Sequence, residues 1–207
     1  SGRFDVDASA QLAIAAGRDS SASNPVIDVR SGGAAIDGRI QVPGGDVSIA
    51  TWNPGQSITV DGAIDVSGQW INDLQGVPNR NLLSSVQMDG GGITLASEGD
   101  LLLSENAVLR ANGGGWMQSD GRLRAGDGGE ISLSINQRAG SDIQIEGSLQ
   151  AYALGRGGKL GITANEINIV ALDGDADIVS GGSGERQIDG VLCGQGGCVV
   201  LALDTKI

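Results

Sequence analysis

The sequence predicts an all-β chain coiled as a parallel β-helix, a β-solenoid of about nine or ten rungs at roughly 20 residues per rung. Three observations predict it. Strand-like segments are very short and alternate apolar with polar or small residues, the period of a half-buried strand. The same segments recur in the same order, each opened by glycine. And aromatics make up 2% of the 207 residues, so the core cannot be built on large rings and must consist of thin layers of Ile, Leu, Val and Ala.

The elements follow in order. Phe4, Val6, Leu12 and Ile14 form a first pair of strands with about two extra residues between them. A Gly-Gly pair then opens an alternating strand four times: Gly44-Gly45 before Val47 and Ile49, Gly91-Gly92 before Ile93 and Leu95, Gly128-Gly129 before Ile131 and Leu133, and Gly157-Gly158 before Leu160 and Ile162. A second unit follows the first three. In Ile58, Val60, Ile64 and Val66 apolar residues occupy relative positions 1, 3, 7 and 9, and Ile143, Ile145, Leu149 and Ala151 repeat that frame. Leu101, Leu103, Ala107 and Leu109 fit it with Ala107 as a degraded third position. Two stretches, about residues 70–88 and 113–127, break the pattern and read as loop insertions leaving the rungs. Asn79 to Met88 is the only segment with any helical character. Residues 190–203 read as a candidate terminal hairpin.

Glycine between strands permits sharp corners. Repetition in register lets like side chains stack on like, each rung bonding the next at about 4.8 Å. The expected product is one rod, about 45 Å long. A β-sandwich or jelly roll is the structural alternative. The chain begins within a strand-like pattern and reads as one β-helix segment, residues 1–207, of a larger protein.

Composition removes several functions. Acidic residues number 25 against 13 basic, a net charge of −12. That excludes nucleic acid as a partner, which needs a clustered basic surface, and disfavours anionic membranes. The acidity reads as a solubility device for a rod with apolar layers. No apolar run approaches the roughly 18 residues of a membrane-spanning helix, so no membrane insertion is expected. Histidine is absent, which removes Ser-His-Asp and Cys-His catalysis and imidazole-bound zinc. The plentiful carboxylates, among them Asp61, Asp65, Asp73, Asp89, Asp100 and Glu105, fall in turns and read as turn formers rather than as a glycosidase pair. No catalytic residue and no cofactor is expected.

Other candidates are few. Trp70 and Trp116 lie in the two irregular stretches and Tyr152 in a turn; flat rings there can pad the coil or stack on sugar rings. Asp173, Asp175 and Asp177 alternate like the start of a calcium loop, but Ile178 stands where that loop needs glycine, and no metal is expected to bind. Cys193 and Cys198 flank Gly-Gln-Gly-Gly between apolar runs, a hairpin tip that a disulfide could close; two free thiols are the alternative.

Three motifs carry a family resemblance. Val66-Ser67-Gly68-Gln69-Trp70-Ile71-Asn72-Asp73 resembles the "DxSGxWxND" element of large exoproteins of the filamentous-haemagglutinin family. Gly113-Gly114-Gly115-Trp116, followed by Ser119-Asp120-Gly121 and Gly126-Asp127-Gly128-Gly129, is similar to the element that comes next there. Leu149-Gln150-Ala151-Tyr152-Ala153-Leu154-Gly155-Arg156-Gly157-Gly158 resembles a third, "LxGYALGxGG", with Ala151 where the family more often has glycine. The likeness covers about residues 44–170. It implies a right-handed parallel β-helix, secreted to the bacterial cell surface by two-partner secretion through an outer-membrane transporter. It implies a structural or adhesive role in adhesion, aggregation or biofilm, and no known ligand. A host-surface or matrix glycan or protein is a candidate partner, and self-association with a second copy is a separate alternative. It carries over no catalytic residue. A carbohydrate-binding module is the alternative function, and a polysaccharide-cleaving β-helix enzyme a more distant one.

Overall fold

The computed structural model describes residues 2–14, 24–74, 87–136, 141–164, 191–194 and 197–200, and every described element is a β-strand, a turn or a bend. The chain coils. β1 (Arg3–Val6) and β2 (Gln11–Ala13) start it. The next turn is β3 (Val26–Ser31), β4 (Gly33–Ile36) and β5 (Arg39–Gln41). Then come β6 (Asp46–Thr51), β7 (Ile58–Val60) and β8 (Ala63–Asp65), followed by β9 (Trp70–Asn72) off the coil. β10 (Gly92–Ser97), β11 (Leu101–Leu103) and β12 (Val108–Arg110) form the next turn, with β13 (Gly115–Met117) and β14 (Leu123–Ala125) off it. β15 (Glu130–Ile135), β16 (Ile143–Ile145) and β17 (Ser148–Gln150) follow, then β18 (Lys159–Thr163) and a hairpin of β19 (Val191–Gly194) and β20 (Gly197–Val200).

Strands one turn apart pair in parallel, and this builds three sheets. Sheet A runs β1-β4-β7-β11-β16, sheet C runs β3-β6-β10-β15-β18, and sheet B runs β2-β5-β8-β12-β17-β20-β19. Register puts like on like. Ile27, Val47, Ile93, Ile131 and Leu160 form one column of sheet C, and Val29, Ile49, Leu95, Leu133 and Ile162 the next. Val6, Ile36, Val60, Leu103 and Ile145 form a column of sheet A, and Leu12, Ile40, Ile64, Leu109 and Leu149 one of sheet B. The columns meet in one apolar core whose middle members, such as Ile49, Leu95 and Leu133, have no exposed surface. At the corner between sheets C and A the core turns polar. Buried Ser31 donates to Gly33 O at 2.8 Å, Ser97 to Asp100 O at 2.9 Å, and Thr51 Oγ1 accepts the Glu98 N–H at 2.9 Å. Hydroxyls thus satisfy backbone groups that leave the ladder where the chain bends.

Among the described residues sheets A and C each stack five strands and sheet B stacks six in parallel, about 20–25 Å of coil; part of the chain assigned to the nine or ten expected rungs, residues 165–190 and 201–207, lies outside the described residues. The spacing and one frame differ from expectation. From Val26 to Asp46 one turn takes 20 residues, but from Asp46 to Gly92 it takes 46, because an excursion is inserted. The frame of the middle unit also shifts. Leu109, not Ala107, pairs with Ile64, because Ser104 to Ala107 make a longer corner than Asp61-Gly62.

The Gly-Gly repeat has a steric cause. A Cβ on Gly91 would lie 1.6 Å from Gly45 O, one on Gly129 1.9 Å from Gly91 O, and one on Gly158 2.4 Å from Gly129 O. Gly45, Gly91, Gly129 and Gly158 stack backbone on backbone, so Gly90-Gly91, rather than Gly91-Gly92, is the pair in step with the other three corners. None of these four has a positive φ; the packing of successive turns alone requires glycine there.

Acidic side chains bind one turn to the next. Asp46 Oδ1 accepts Gly92 N–H at 2.8 Å, Asp89 Oδ1 accepts Asp127 N–H at 2.8 Å, Asp127 Oδ1 accepts Arg156 N–H at 2.8 Å, and Asp100 Oδ1 accepts Asp142 N–H at 3.0 Å. Asn112 Oδ1 does the same for Tyr152 N–H at 2.8 Å. In every case the acceptor belongs to the earlier turn. These carboxylates do more than keep the rod in solution: they extend the ladder through corners where strands stop.

Candidate functional site

The irregular stretches hold an ordered feature of their own. β9 and β13 pair in parallel, and β13 and β14 form an antiparallel hairpin, giving a fourth sheet, D, in the order β9-β13-β14. Residues 75–86 of the first stretch lie outside the described residues. Glycine permits the excursions to root side by side. A Cβ on Gly68 or Gly126 would fall 2.0 Å from Met88 O, and one on Gly114 2.1 Å from Gln69 O. Gly114 N–H bonds Met88 O at 2.6 Å and Gly115 N–H bonds Gln69 O at 2.9 Å. The hairpin tip is held by Gln118 N–H to Arg122 O at 2.8 Å, with Gly121 at φ 83°.

The two faces of sheet D differ. Cross-strand neighbours share a face, so Trp70, Gly115 and Ala125 form one row, with Asn72, Met117 and Leu123 beside it on the same side. Trp70 is 63% exposed, and its six-membered ring lies where a Gly115 side chain would be: a Cβ there would stand 2.8 Å from Cζ3. The ring thus lies against the Gly115 backbone while most of the residue is exposed. Ile71, Trp116 and Arg124 form the row on the opposite side. There Trp116 Nε1–H donates to Asp73 Oδ2 at 2.7 Å, and Asp73 is 4% exposed. Its other oxygen, Oδ1, is buried with no partner. Asp73 N–H bonds Met117 O at 2.8 Å, so backbone and side chain together fix the acid against β13.

The sequence candidates therefore separate. Trp70 and Trp116 come onto adjacent strands but opposite faces: Trp70 is a presented ring, and Trp116 is a strut tied to Asp73. Tyr152 is 43% exposed at the corner after β17, where Tyr152 O accepts Gly113 N–H at 2.6 Å at the root of the β13 excursion. Trp52, 56% exposed, stands in the corner after β6. Of the acids weighed for catalysis, Asp61, Asp65, Asp73, Asp89 and Asp100 have structural partners. Asp61 is bonded by the Ser104 hydroxyl and by Asn106 Nδ2 at 3.2 Å, bonds that hold its carboxyl below the usual range. Asp127 is held lower too, first by the Arg156 backbone N–H and then by the Arg156 guanidinium, whose Nε and Nη2 reach Oδ2 at 2.9 and 2.7 Å; Arg156 is raised in turn. Asp65 binds Arg39 at 3.1 Å.

Asp173, Asp175 and Asp177 lie outside the described residues. Among the described residues no cluster of three His, Cys, Asp or Glu could hold a metal ion, and no helix is long and apolar enough to cross a membrane. Cys193 and Cys198 face one another across the β19–β20 hairpin in backbone register. Sequence reasoning missed the role of Asp73, which read as one acidic turn residue among many; its signal was its place three residues after Trp70, where β9 ends. Compared with known proteins, the chain matches no family model, no curated protein and no solved structure.

Proposed function

We propose that this chain is a structural and adhesive segment of a secreted bacterial surface exoprotein, a right-handed β-helix shaft serving adhesion, aggregation or biofilm formation, with no enzymatic activity. The observation that carries the proposal is the stack of like-on-like columns in three parallel sheets. Such a stack is stiff, repeats along one axis and buries its apolar rows without a closed globular core. Its acids are committed to holding turns together, which favours a shaft over a hydrolase. The three motif resemblances support export by two-partner secretion. Antibodies to this segment should label intact cells of the source bacterium, and deleting it in the parent gene should lower adherence or aggregation. Label confined to lysed cells would refute the surface role.

One observation favours a second role on the same shaft. Trp70, 63% exposed, lies against Gly115 beside Asn72 on the same side of sheet D. A fixed indole and an amide side by side are suited to a pyranose ring and its hydroxyls. A glycan array should give specific hits that Trp70→Ala abolishes and Trp116→Phe spares. An array with no hit above background removes the carbohydrate role and leaves the shaft untouched.

A further inference from the structure

Sheet D ends on an open strand in mid-chain. The turn that carries β9 and the turn that carries the β13–β14 hairpin are followed by one whose corner, residues 151–158, is short and holds no strand. That corner is tied to the root of the hairpin, Gly155 N–H to Gly126 O at 3.2 Å, and adds nothing to β14. Every residue from Ser119 to Ala125 is exposed, Leu123 by 47%.

Hydrogen bonding fixes which groups of β14 point outward. Gln118 N–H bonds Arg122 O and Gly126 N–H bonds Gly114 O, so the bonded pairs of the hairpin are Gln118 with Arg122, Trp116 with Arg124 and Gly114 with Gly126. Leu123 and Ala125 fall between them. Their N–H and C=O groups point away from β13 and meet no partner among the described residues. Side chains alternate along the same strand: Arg122 and Arg124 stand on the Trp116 side, Leu123 and Ala125 on the Met117 side.

These cations sit on a chain of net charge −12. Among the described residues six other or neighbouring Lys and Arg side chains, Arg122 included, pair with acids, and Arg110 bonds Gln150. Arg124 alone among the described cations has no side-chain partner. Arg122 is held only by exposed Asp120, at 3.4 Å.

A strand edge with free N–H and C=O groups is a template for another strand, and charge decides which. A second copy adding its own β14 in antiparallel would set arginine against arginine, which is unfavourable. An extended segment with acids on the arginine side and apolar residues on the Leu123 side satisfies both faces and the free backbone groups together. We propose that β14 is a docking edge for an extended acidic peptide, one that alternates carboxylate with apolar side chains and adds to sheet D as a further strand. Arg124 then gains the carboxylate it lacks, the backbone groups of Leu123 and Ala125 bond the incoming chain, and apolar side chains cover Leu123. The docking edge does not require Trp70 to bind sugar.

The test uses the whole 207-residue chain and a fluorescein-labelled synthetic peptide that alternates glutamate with valine, followed by fluorescence anisotropy. The peptide should bind, and rising salt should weaken it. The same peptide N-methylated along its backbone keeps its charge, loses its donors and should not bind. Replacing its glutamate by glutamine should weaken binding about tenfold, and Arg122→Glu/Arg124→Glu should weaken it further. Both arginines are exposed, so strand circular dichroism should not change. Undiminished binding by the N-methylated peptide or by the double variant overturns the docking edge. So does a wild-type chain that leaves the anisotropy of the glutamate–valine peptide unchanged; in that event self-association of Arg122→Thr/Arg124→Thr would assign the arginines to keeping edges apart. Should the double variant lose its strand signal, the glutamine and N-methylated peptides on the wild-type chain supply the same comparison.

Discussion

Replacing Gly91 by alanine tests the reason for the Gly-Gly repeat. The new Cβ would sit 1.6 Å from Gly45 O and 2.6 Å from Gly45 C, both rigid backbone atoms of the preceding turn. Relief requires one corner to move by more than an ångström. That movement breaks or stretches two bonds, Gly91 N–H to Val66 O at 2.9 Å and Glu130 N–H to Gly91 O at 3.2 Å. A buried backbone group left unpaired costs about 1–3 kcal/mol, and forcing volume into a packed site costs about 1–3 kcal/mol more. Gly91→Ala should therefore cost about 2–6 kcal/mol, read as a fall in the urea midpoint of the strand circular dichroism signal. Two controls isolate the cause. Gly55 has nothing within 4 Å of its Cβ but a φ of 79°, so Gly55→Ala should cost only about 1–2 kcal/mol, from left-handed backbone strain. Gly2 has open space and no positive φ, so Gly2→Ala should leave the midpoint unchanged. Equal midpoints for Gly91→Ala and wild type would refute the backbone-on-backbone account of the repeat.

Further outcomes follow from the same geometry. Leu95→Ala removes a fully buried side chain between Ile49 and Leu133 and should cost about 2–5 kcal/mol in equilibrium unfolding. Asp127 has its carboxyl depressed by Arg156, so its contribution is present above the ordinary carboxylate range and is lost as pH falls through the lower folded value; the stability gap between wild type and Asp127→Asn should be constant at neutral pH and close in strong acid, and a gap that widens on acidification contradicts the pairing. Asp73→Ala leaves the Trp116 indole N–H without its acceptor and should shift tryptophan emission and lower stability, by about 1–3 kcal/mol. Asp73→Asn keeps an acceptor and should do less harm, a ranking that thermal melts would check.

Much of the coil was legible because its signals are local. The four Gly-Gly strands predicted from sequence are β6, β10, β15 and β18, adjacent in sheet C in the expected register. The units starting at Ile58 and Ile143 lie on the same columns, and the two extra residues assigned between Val6 and Leu12 are real: Phe4 pairs with Ala34 and Leu12 with Ile40. One whole turn, β3 to β5, escaped notice although Ala34, Ile36, Ile40 and Val42 keep the 1, 3, 7 and 9 frame. Alanine in the first position hides the strand from any pattern that counts large apolar residues. Sheet D was hidden for another reason. Its strands are three residues long and pair between stretches some 45 residues apart, Trp70 with Gly115, so no local period marks them. The exposed ring and the tied one could not be told apart either. That distinction depends on which face of a short strand each occupies, and on the absence of a side chain at Gly115.

The acidity of the chain takes on a second meaning once the corners are seen. Within a sheet, each backbone N–H finds a carbonyl one turn away at no cost in side chains. At a corner that correspondence lapses, and an unpaired N–H in a half-buried place is expensive. Asp46, Asp89, Asp100 and Asp127 resolve it with a carboxylate that reaches forward to the next turn. Since every such acceptor belongs to the earlier turn, each turn when laid down offers acceptors that only its successor can fill, and a corner is satisfied only after the following one has formed. The stack is therefore directional in its hydrogen bonding as well as in its strands. A carboxylate suits this task better than an amide would, because it accepts without presenting a donor that would need a partner of its own. At Asp127 the spare oxygen is then available for Arg156, which closes the run with a cation where another acid would have added repulsion. Selection for a stack that continues turn upon turn can thus produce a strongly acidic chain before solubility, ligand or partner is considered.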